Sequence, residues 1–486
     1  MYLEEMVRAA TYAILPLSGK NLAVAGSTGA RTAKGMEVMK NLREPGSRDL
    51  WFLPLGGCGE IGMNLNLIGH DNQWLMVDCG VNFTQSHYPG TDPLIEMPKT
   101  SFIDQRKTSL MALLVTHAHE DHIGAIGKLW HRWKCPLVAT PFAAEVIRRR
   151  ALSRGVAVPE PIIIASPGND KRFGSFTVRW IPMNHSTPET CGLEIETSAG
   201  RIFHAADWKF DKAPVVGPEF SAARYESLGL RGVDAMISDS TNAFVDGESP
   251  SEGNVKANLI ELIKRLDERV VVTCFSSNIA RLISLVEAAI ASERRICLLG
   301  RSVILMLECA KSLDMIDKDL KLVDQRHLGY LPRKEVLIIA TGSQGESGSG
   351  LSRLSMDTHR HIYLEKGDTV IFSSRTIPGN ERAVKTLRRR FVQNGVTVLH
   401  AEDSGSALHA TGHACRAELE AMYRLIRPRV VIPVHGDSER LMENARIASS
   451  AGVANTLSGM NGDLFTISPA TSVSKGFCEV GRVPLV

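Results

Sequence analysis

Nine cysteines are scattered through 486 residues, at positions 58, 79, 135, 191, 274, 297, 309, 415 and 478, and no two of them stand as Cys-x-x-Cys. An odd number of widely spaced thiols excludes a disulfide framework and argues against thiolate zinc sites. It fits a reducing, cytoplasmic setting. Equally missing is any apolar run of about eighteen residues, so no membrane span is expected. The opening segment MYLEEMVRAATYAILPLSGKNLAVAG has a short apolar stretch, but Glu4 and Glu5 stand where a secretion signal carries positive charge. Neither sign of charge dominates: 56 Lys and Arg face 53 Asp and Glu, a net charge of +3. Bulk charge therefore neither requires nor forbids a polyanionic partner, and any such surface must be local. Two short basic runs exist, Arg148, Arg149 and Arg150, and Lys385 with Arg388, Arg389 and Arg390. Each reads first as a solvated helix face. Tandem repeats and low-complexity tracts are absent.

What is present is an ordinary globular composition, 44% hydrophobic and 22% charged, in a chain long enough for several domains. Residues 1–48 read as a flexible extension, with Met36 or Met39 as an alternative start. From Leu53 onward, short apolar runs of strand length end repeatedly in reactive side chains. WLMVD ends at Asp78, WIPMNH at His185, RIFHAAD at Asp207 and VVIPVH at His435, while AMISDS contains Asp239. Reactive groups at the carboxyl ends of strands mark the site of an α/β fold. Between about 246 and 395 the texture changes to alternating helix and strand, as in βαβ units around a parallel sheet. Helical patterns span roughly 254–268, 279–292 and 380–393. The ligand-bearing strands resume only afterwards. This order predicts a domain of residues 49–245, an insertion over 246–395, and a return to the first domain over 396–486.

The segment His117-Ala-His119-Glu-Asp121-His122 follows the apolar run LLVT and carries four metal-ligand types within six residues. Alternate residues of an extended chain point to one side, so His117 and His119 can share an ion. Asp121 and His122 lie where the chain turns into a helix and can face a second ion. Imidazole and carboxylate donors suit zinc or manganese. Four side chains cannot hold two ions, and His185, Asp207 and His435 are the expected additions, with Asp207 placed to bridge. His204 should point away from the side on which Asp207 lies, and Asp78 is the expected acceptor that orients a histidine N–H. Two ions of this kind activate a hydroxide and clamp the oxygens of a phosphoryl displacement, but the pair alone does not choose the substrate. Further on, His409-x-x-x-His413 in a glycine-containing turn offers two donors for phosphate oxygens, and an imidazolium can protonate a leaving 3′-oxygen. The Gly/Ser clusters 341–346 and 373–380 offer backbone N–H groups and hydroxyls suited to phosphate.

With PLGGCGEIGMNLN, VDCG, THAHEDHIGA, NHSTPE, HAADWKFD, SDSTN, ATGSQGE, SSRTIPGNE, HATGH and PVHGD in order, the chain resembles the β-CASP nucleases of the metallo-β-lactamase superfamily. Within them it resembles the bacterial ribonuclease J family. The resemblance runs from about residue 53 to about 475. It implies an α/β fold, a metallo-β-lactamase αββα sandwich with an inserted β-CASP domain. It implies one divalent ion on His117, His119, His185 and Asp207, and another on Asp121, His122, Asp207 and His435. Zinc is the expected ion, with manganese or magnesium as alternatives. Asp239, His413 and His435 match the family's motifs A, B and C; His413 would assist the scissile phosphate, with Asp121, Asp239 and His435 completing the catalytic set. His409, Thr411, Gly412, His413, Ser343 and Ser374 would contact substrate. Where the family has Ser before Gly-His, this chain has Thr411, which keeps the hydroxyl. The family continues into a further C-terminal domain, whereas this sequence ends at Val486.

The function so implied is hydrolysis of single-stranded RNA by a two-metal activated hydroxide. The action would be 5′-to-3′ from a 5′-monophosphate end as well as internal, in RNA maturation and decay in the cytoplasm. The protein would act as a homodimer or homotetramer, or with other RNA-decay proteins. The alternatives are a DNA-directed β-CASP nuclease, a small-molecule hydrolase and a catalytically silent RNA-binding subunit. The first usually lacks the motif C histidine, the second has no need of the insertion, and silent paralogues usually lose ligands that this chain retains.

Overall fold

The fold is that of a computed structural model, which describes residues 43–84, 94–377, 379–401 and 407–485. The expected extension up to residue 42, with Met36 and Met39, lies outside these residues. The compact unit begins at Glu44, somewhat before the expected boundary. Its carboxylate accepts from Trp74 Nε1 at 3.2 Å and from Arg106 Nε at 2.7 Å, which ties the entering chain to the first sheet.

Two mixed sheets face each other. One has eight strands in the order Ser472–Ser474, Leu464–Ser468, Leu50–Gly56, Leu65–His70, Gln73–Val77, Leu110–Leu114, Leu137–Ala139 and Ile162–Ile164. The other has seven, in the order Asn455–Thr456, Val430–Val434, Ala235–Asp239, Gly200–His204, Cys191–Thr197, Phe176–Pro182 and Asp170–Phe173. Their inner faces supply a shared core that includes Phe52, Ile68, Val77, Leu114, Trp180, Leu193, Ile237, Ile432 and Phe465. Each such fully buried aliphatic or aromatic side chain stabilises the fold by about 1.5–3 kcal/mol. Strands Leu50–Gly56, Leu65–His70 and Val430–Val434 are buried along their whole length, so Leu50–Gly56 and Val430–Val434 read as continuous apolar runs, while Leu65–His70 buries Asn66 and His70 among its apolar residues. Helices cover the outer faces; Arg416–Ile426 packs on Ala222–Leu230 and Ser438–Ser450 over Phe203, Met236 and Val431. The result is the αββα sandwich.

A third sheet, of five parallel strands, is inserted in the chain between strands Ala235–Asp239 and Val430–Val434. Its order is Arg295–Leu299, Val336–Ala340, Val270–Thr273, Thr369–Phe372 and Thr397–His400. The helices Glu252–Lys264, Ile279–Ala291 and Glu381–Gln393 fall where the apolar periodicity put them. Strand Thr397–His400 lies beyond the expected boundary at 395, yet pairs with Thr369–Phe372. The five-stranded sheet of the insertion therefore extends to His400. All nine cysteines are buried and free. Among the described residues, no helix is long and apolar enough to cross a membrane.

Candidate metal centre and phosphate turn

Strand Leu110–Leu114 ends beside Val77, and the chain beyond it carries His117 and His119 before turning at His119 into the short helix Glu120–Ile123. Gly80 makes this turn possible. A Cβ there would lie 1.7 Å from the Asp121 carbonyl oxygen, so only glycine lets the two segments touch. The other reactive residues come from strand ends of the second sheet: His185 after Phe176–Pro182, Asp207 after Gly200–His204, Asp239 closing Ala235–Asp239, and His435 after Val430–Val434. Asp78, Ala206 and His435 have φ of 62°, 53° and 56°. Left-handed backbone at non-glycine residues is unfavourable, and its concentration here marks a region over-determined by its surroundings.

The structure gathers these residues into overlapping groups. His117, His119, His185 and Asp207 form one, Asp121, His122, Asp207 and His435 a second, and Asp207, Asp239, His413 and His435 a third; within each, ligand atoms lie within 4.8 Å of one another. His119 Nδ1 is 3.2 Å from His117 Nε2 and 3.0 Å from His185 Nε2. Asp207 Oδ2 is 3.3 Å from His122 Nε2, 3.7 Å from His117 Nε2 and 3.9 Å from His185 Nε2. Its Oδ1 is 3.5 Å from His435 Nδ1. Asp121 Oδ2 is 3.2 Å from His435 Nε2.

The donors behind these atoms show which nitrogens carry lone pairs. His185 Nδ1 donates to the Gly412 carbonyl at 2.6 Å, which leaves Nε2 as an acceptor facing His119. His122 Nδ1 donates to Asp78 Oδ2 at 2.7 Å, and so turns Nε2 towards Asp207. Asp78 also accepts from the Thr116 N–H and hydroxyl, each at 2.8 Å. Nitrogen lone pairs converging on one another and on carboxylates need a cation between them. The donor set, imidazole with carboxylate, fits divalent metal.

The electrostatics follow the same geometry. Burial disfavours protonation of His117 and His185, and neighbouring imidazoles add to it, so both sit well below the usual histidine range. His119 is lowered by burial to about 4. Burial acts the same way on His122 and His435, but Asp207 and the carboxylates around it outweigh it and raise both. Burial would raise Asp207, yet His435 and His122 hold it well below the carboxylate range.

Beside this cluster lies the turn that returns from the insertion. His413 Nδ1 is 2.7 Å from Asp239 Oδ2, and Asp239, with Asp207, raises the imidazole above its ordinary value against the effect of burial. Asn242 Nδ2 holds the turn from below, donating to Thr411 Oγ1 at 2.9 Å and to the His413 carbonyl at 3.1 Å. A Cβ on Gly412 would lie 2.6 Å from His185 Cε1. His409 Nδ1 and Ser374 Oγ are buried without a hydrogen-bond partner, and Arg281, Lys209 and Arg375 lie near the His409 ring. Ser343 and Ser374 follow strands Val336–Ala340 and Thr369–Phe372 of one parallel sheet, at its carboxyl end. Gln344 ties their loops together, donating to the Arg375 carbonyl at 2.9 Å and accepting from the Ile377 N–H at 2.8 Å. His204 belongs to none of the three ligand groups; its Nε2 is 3.4 Å from Asn66 Nδ2 and its Nδ1 accepts from the Ala206 N–H at 3.2 Å.

Several supporting residues had no role assigned from the sequence, although Thr241, Ser186 and Asn64 lie within the motifs SDSTN, NHSTPE and PLGGCGEIGMNLN. Thr241 bonds both Asp239 Oδ1, at 2.7 Å, and His435 Nδ1, at 3.0 Å. Ser186 is 3.2 Å from His119 Nε2 and Asn64 is 3.0 Å from His122 Nε2. Fully buried Arg281 pairs with Glu252 and donates to the Ser373 carbonyl and hydroxyl and to the Leu408 carbonyl. These are common polar residues, and only the fold brings them to the site.

Comparison with known proteins agrees with this architecture. Residues 267–390 match the family described as ribonuclease J, beta-CASP domain. Residues 73–272 match the beta-lactamase superfamily domain, and 406–455 the Zn-dependent metallo-hydrolase RNA specificity domain. The chain is 38% identical over 439 residues to the ribonuclease J of Sinorhizobium meliloti, covering 90% of this chain and 77% of that one. It is 36% identical over 436 residues to the ribonuclease J of Mycobacterium tuberculosis, covering 87% and 77%. A crystal structure of a protein of unknown function from Enterococcus faecalis shares the fold at 13% identity, with a TM-score of 0.59 over 86% of this chain and 100% of that one. Three family matches along the chain and two such relatives lead to one assignment: the chain belongs to the ribonuclease J family, hydrolytic nucleases of the metallo-β-lactamase fold with an inserted β-CASP domain.

Proposed function

We propose that the protein hydrolyses single-stranded RNA with two divalent cations, acting 5′-to-3′ from a 5′-monophosphate end and also internally, in cytoplasmic RNA maturation and decay. The observation that carries this reading is the position of Asp207, whose carboxylate belongs to all three ligand groups. One cation would be held by His117, His119, His185 and Asp207, the other by Asp121, His122, Asp207 and His435. Zinc suits the imidazole-rich set best, with manganese next. Bound there, such a pair supplies a water acidified towards neutral pH and positive charge for phosphate oxygens.

The protein's own groups do the rest. Asp78 fixes the tautomer of His122, and the Gly412 carbonyl fixes that of His185. Asp239 accepts the Nδ1 proton of His413, which leaves Nε2 to carry the proton that a departing 3′-oxygen needs. His409, Ser374, Ser343, Thr411 and the Gly412 backbone would contact substrate phosphates, and the buried Ser374 hydroxyl, without a partner of its own, is a donor for an anion there. Assembly as a homodimer or homotetramer belongs to the same reading.

A time course on 5′-labelled RNA carrying either a monophosphate or a triphosphate, with Mn²⁺ or Zn²⁺ and a chelator control, tests it. Release of mononucleotide label, faster from the monophosphate, is expected. Equal rates from both ends would remove the end preference, and degradation in chelator would remove the metal mechanism.

A further inference from the structure

The two basic runs that look alike in the sequence differ in the fold. Arg148, Arg149 and Arg150 each meet an acid: Glu160 at 2.6 Å, Glu145 at 2.6 Å, and Glu120. That run is neutralised. The second run lies on the helix Glu381–Gln393, which buries Val384, Leu387 and Phe391 against the inserted sheet. At about 100° per residue, Arg382, Lys385 and Arg389 fall within a narrow sector opposite that buried face, and all three are exposed. Among the described residues, none of the three has an ion-pair or hydrogen-bond partner for its side chain. The helix's one acid, Glu381, is turned back to accept from the Gly379 N–H at 2.9 Å.

We propose that Arg382, Lys385 and Arg389 form a surface track that holds backbone phosphates of an RNA segment lying outside the catalytic cleft. The proposal rests on the ribonuclease reading. Three features select RNA as the occupant. The stripe is of one sign and uncompensated, whereas the otherwise similar run at 148–150 is compensated. Its helix, Glu381–Gln393, begins directly after the 373–380 loop that carries Ser374 and Arg375, so the stripe continues along the chain from that loop. The sector carries no aromatic side chain, which suits contact with phosphates in any sequence rather than base stacking. From Arg382 to Arg389 the track spans about 10 Å along the helix axis.

The test is initial-rate kinetics with the metal-loaded full chain, on RNAs of about five and about thirty nucleotides over a range of salt. The variant Arg382→Gln/Lys385→Gln/Arg389→Gln should leave kcat/KM on the short RNA unchanged and lower it on the long one. For the long RNA, the slope of log(kcat/KM) against log salt should become shallower by about 0.7 per lost phosphate contact, or about 2 in all. Arg382→Lys/Arg389→Lys should restore the long-RNA rate, and Arg148→Gln/Arg149→Gln should affect neither substrate. Equal behaviour of the triple variant and the unaltered chain on both RNAs would overturn the proposal and point to a partner other than RNA for this helix. Equal loss on both RNAs would also overturn it, as a merely structural effect. Failure of the unaltered chain to degrade RNA would instead bring down the ribonuclease reading, and this one with it.

Discussion

His185 and Gly412, separated by 227 positions in the chain, are joined by a 2.6 Å hydrogen bond from the imidazole Nδ1 to the glycine carbonyl. The bond couples the metal cluster to the turn that carries His409 and His413. It also sets the tautomer that turns His185 Nε2 towards His119.

Gly412→Ala tests that coupling. The added Cβ would lie 2.6 Å from His185 Cε1 and 2.7 Å from Nδ1, so either the ring or the turn must move. We predict loss of bound metal and a fall in RNA degradation of about 10–100-fold, the range typical of disturbed supporting contacts at metal sites. Metal content and initial rate measured on the same preparation check it. Unchanged values for both would show that the contact does not matter.

His409 gives a prediction in pH. Burial, with Arg281, Lys209 and Arg375 nearby, holds its pKa well below the ordinary value of 6.5. The folded chain therefore keeps it neutral where the unfolded chain takes up a proton. Its contribution to stability is complete above about pH 6.5 and is lost as pH falls below it. Between pH 7.5 and 5.5, His409→Gln should lose less Tm than the unaltered protein, as followed by calorimetry of each. Parallel pH profiles would contradict the assigned protonation state.

Arg281 connects the insertion to the turn that carries His409 and His413 through Glu252, Ser373 and Leu408. Removing one partner of a buried ion pair costs about 3–5 kcal/mol, so Arg281→Met should lower Tm by several degrees. Because Ser373 and Leu408 flank the loops of Ser374 and His409, KM for RNA should rise more than kcat falls. A stability loss with unchanged KM would confine Arg281 to a packing role.

Much of the fold was legible because ligands at strand ends and apolar periodicity are local signals. The segment from His117 to His122 announced a metal site, and the helices near 254, 279 and 380 were visible as amphipathic patterns. The interrupted order of ligand-bearing strands announced an insertion. The boundary after 395 was misplaced, since Thr397–His400 pairs with a strand some thirty residues earlier, and pairing is not local. Thr241, Asn242 and Asn64 stand inside the motifs SDSTN and PLGGCGEIGMNLN, but their contacts, like those of Arg281, are made through space and could not be assigned. Nor could the sequence distinguish the neutralised arginines at 148–150 from the uncompensated stripe at 382–389, because the acids that decide it, Glu120, Glu145 and Glu160, act through space.

The most direct test of the central claim is metal stoichiometry measured alongside RNA degradation, for the unaltered chain, His117→Ala and Asp207→Ala. Asp207 lies in all three ligand groups and His117 in one. The account predicts two divalent ions in the unaltered protein, loss of one on removing His117, and loss of both, with no metal-dependent degradation, on removing Asp207. A folded Asp207→Ala protein that retains both ions or degrades RNA at full rate would contradict it.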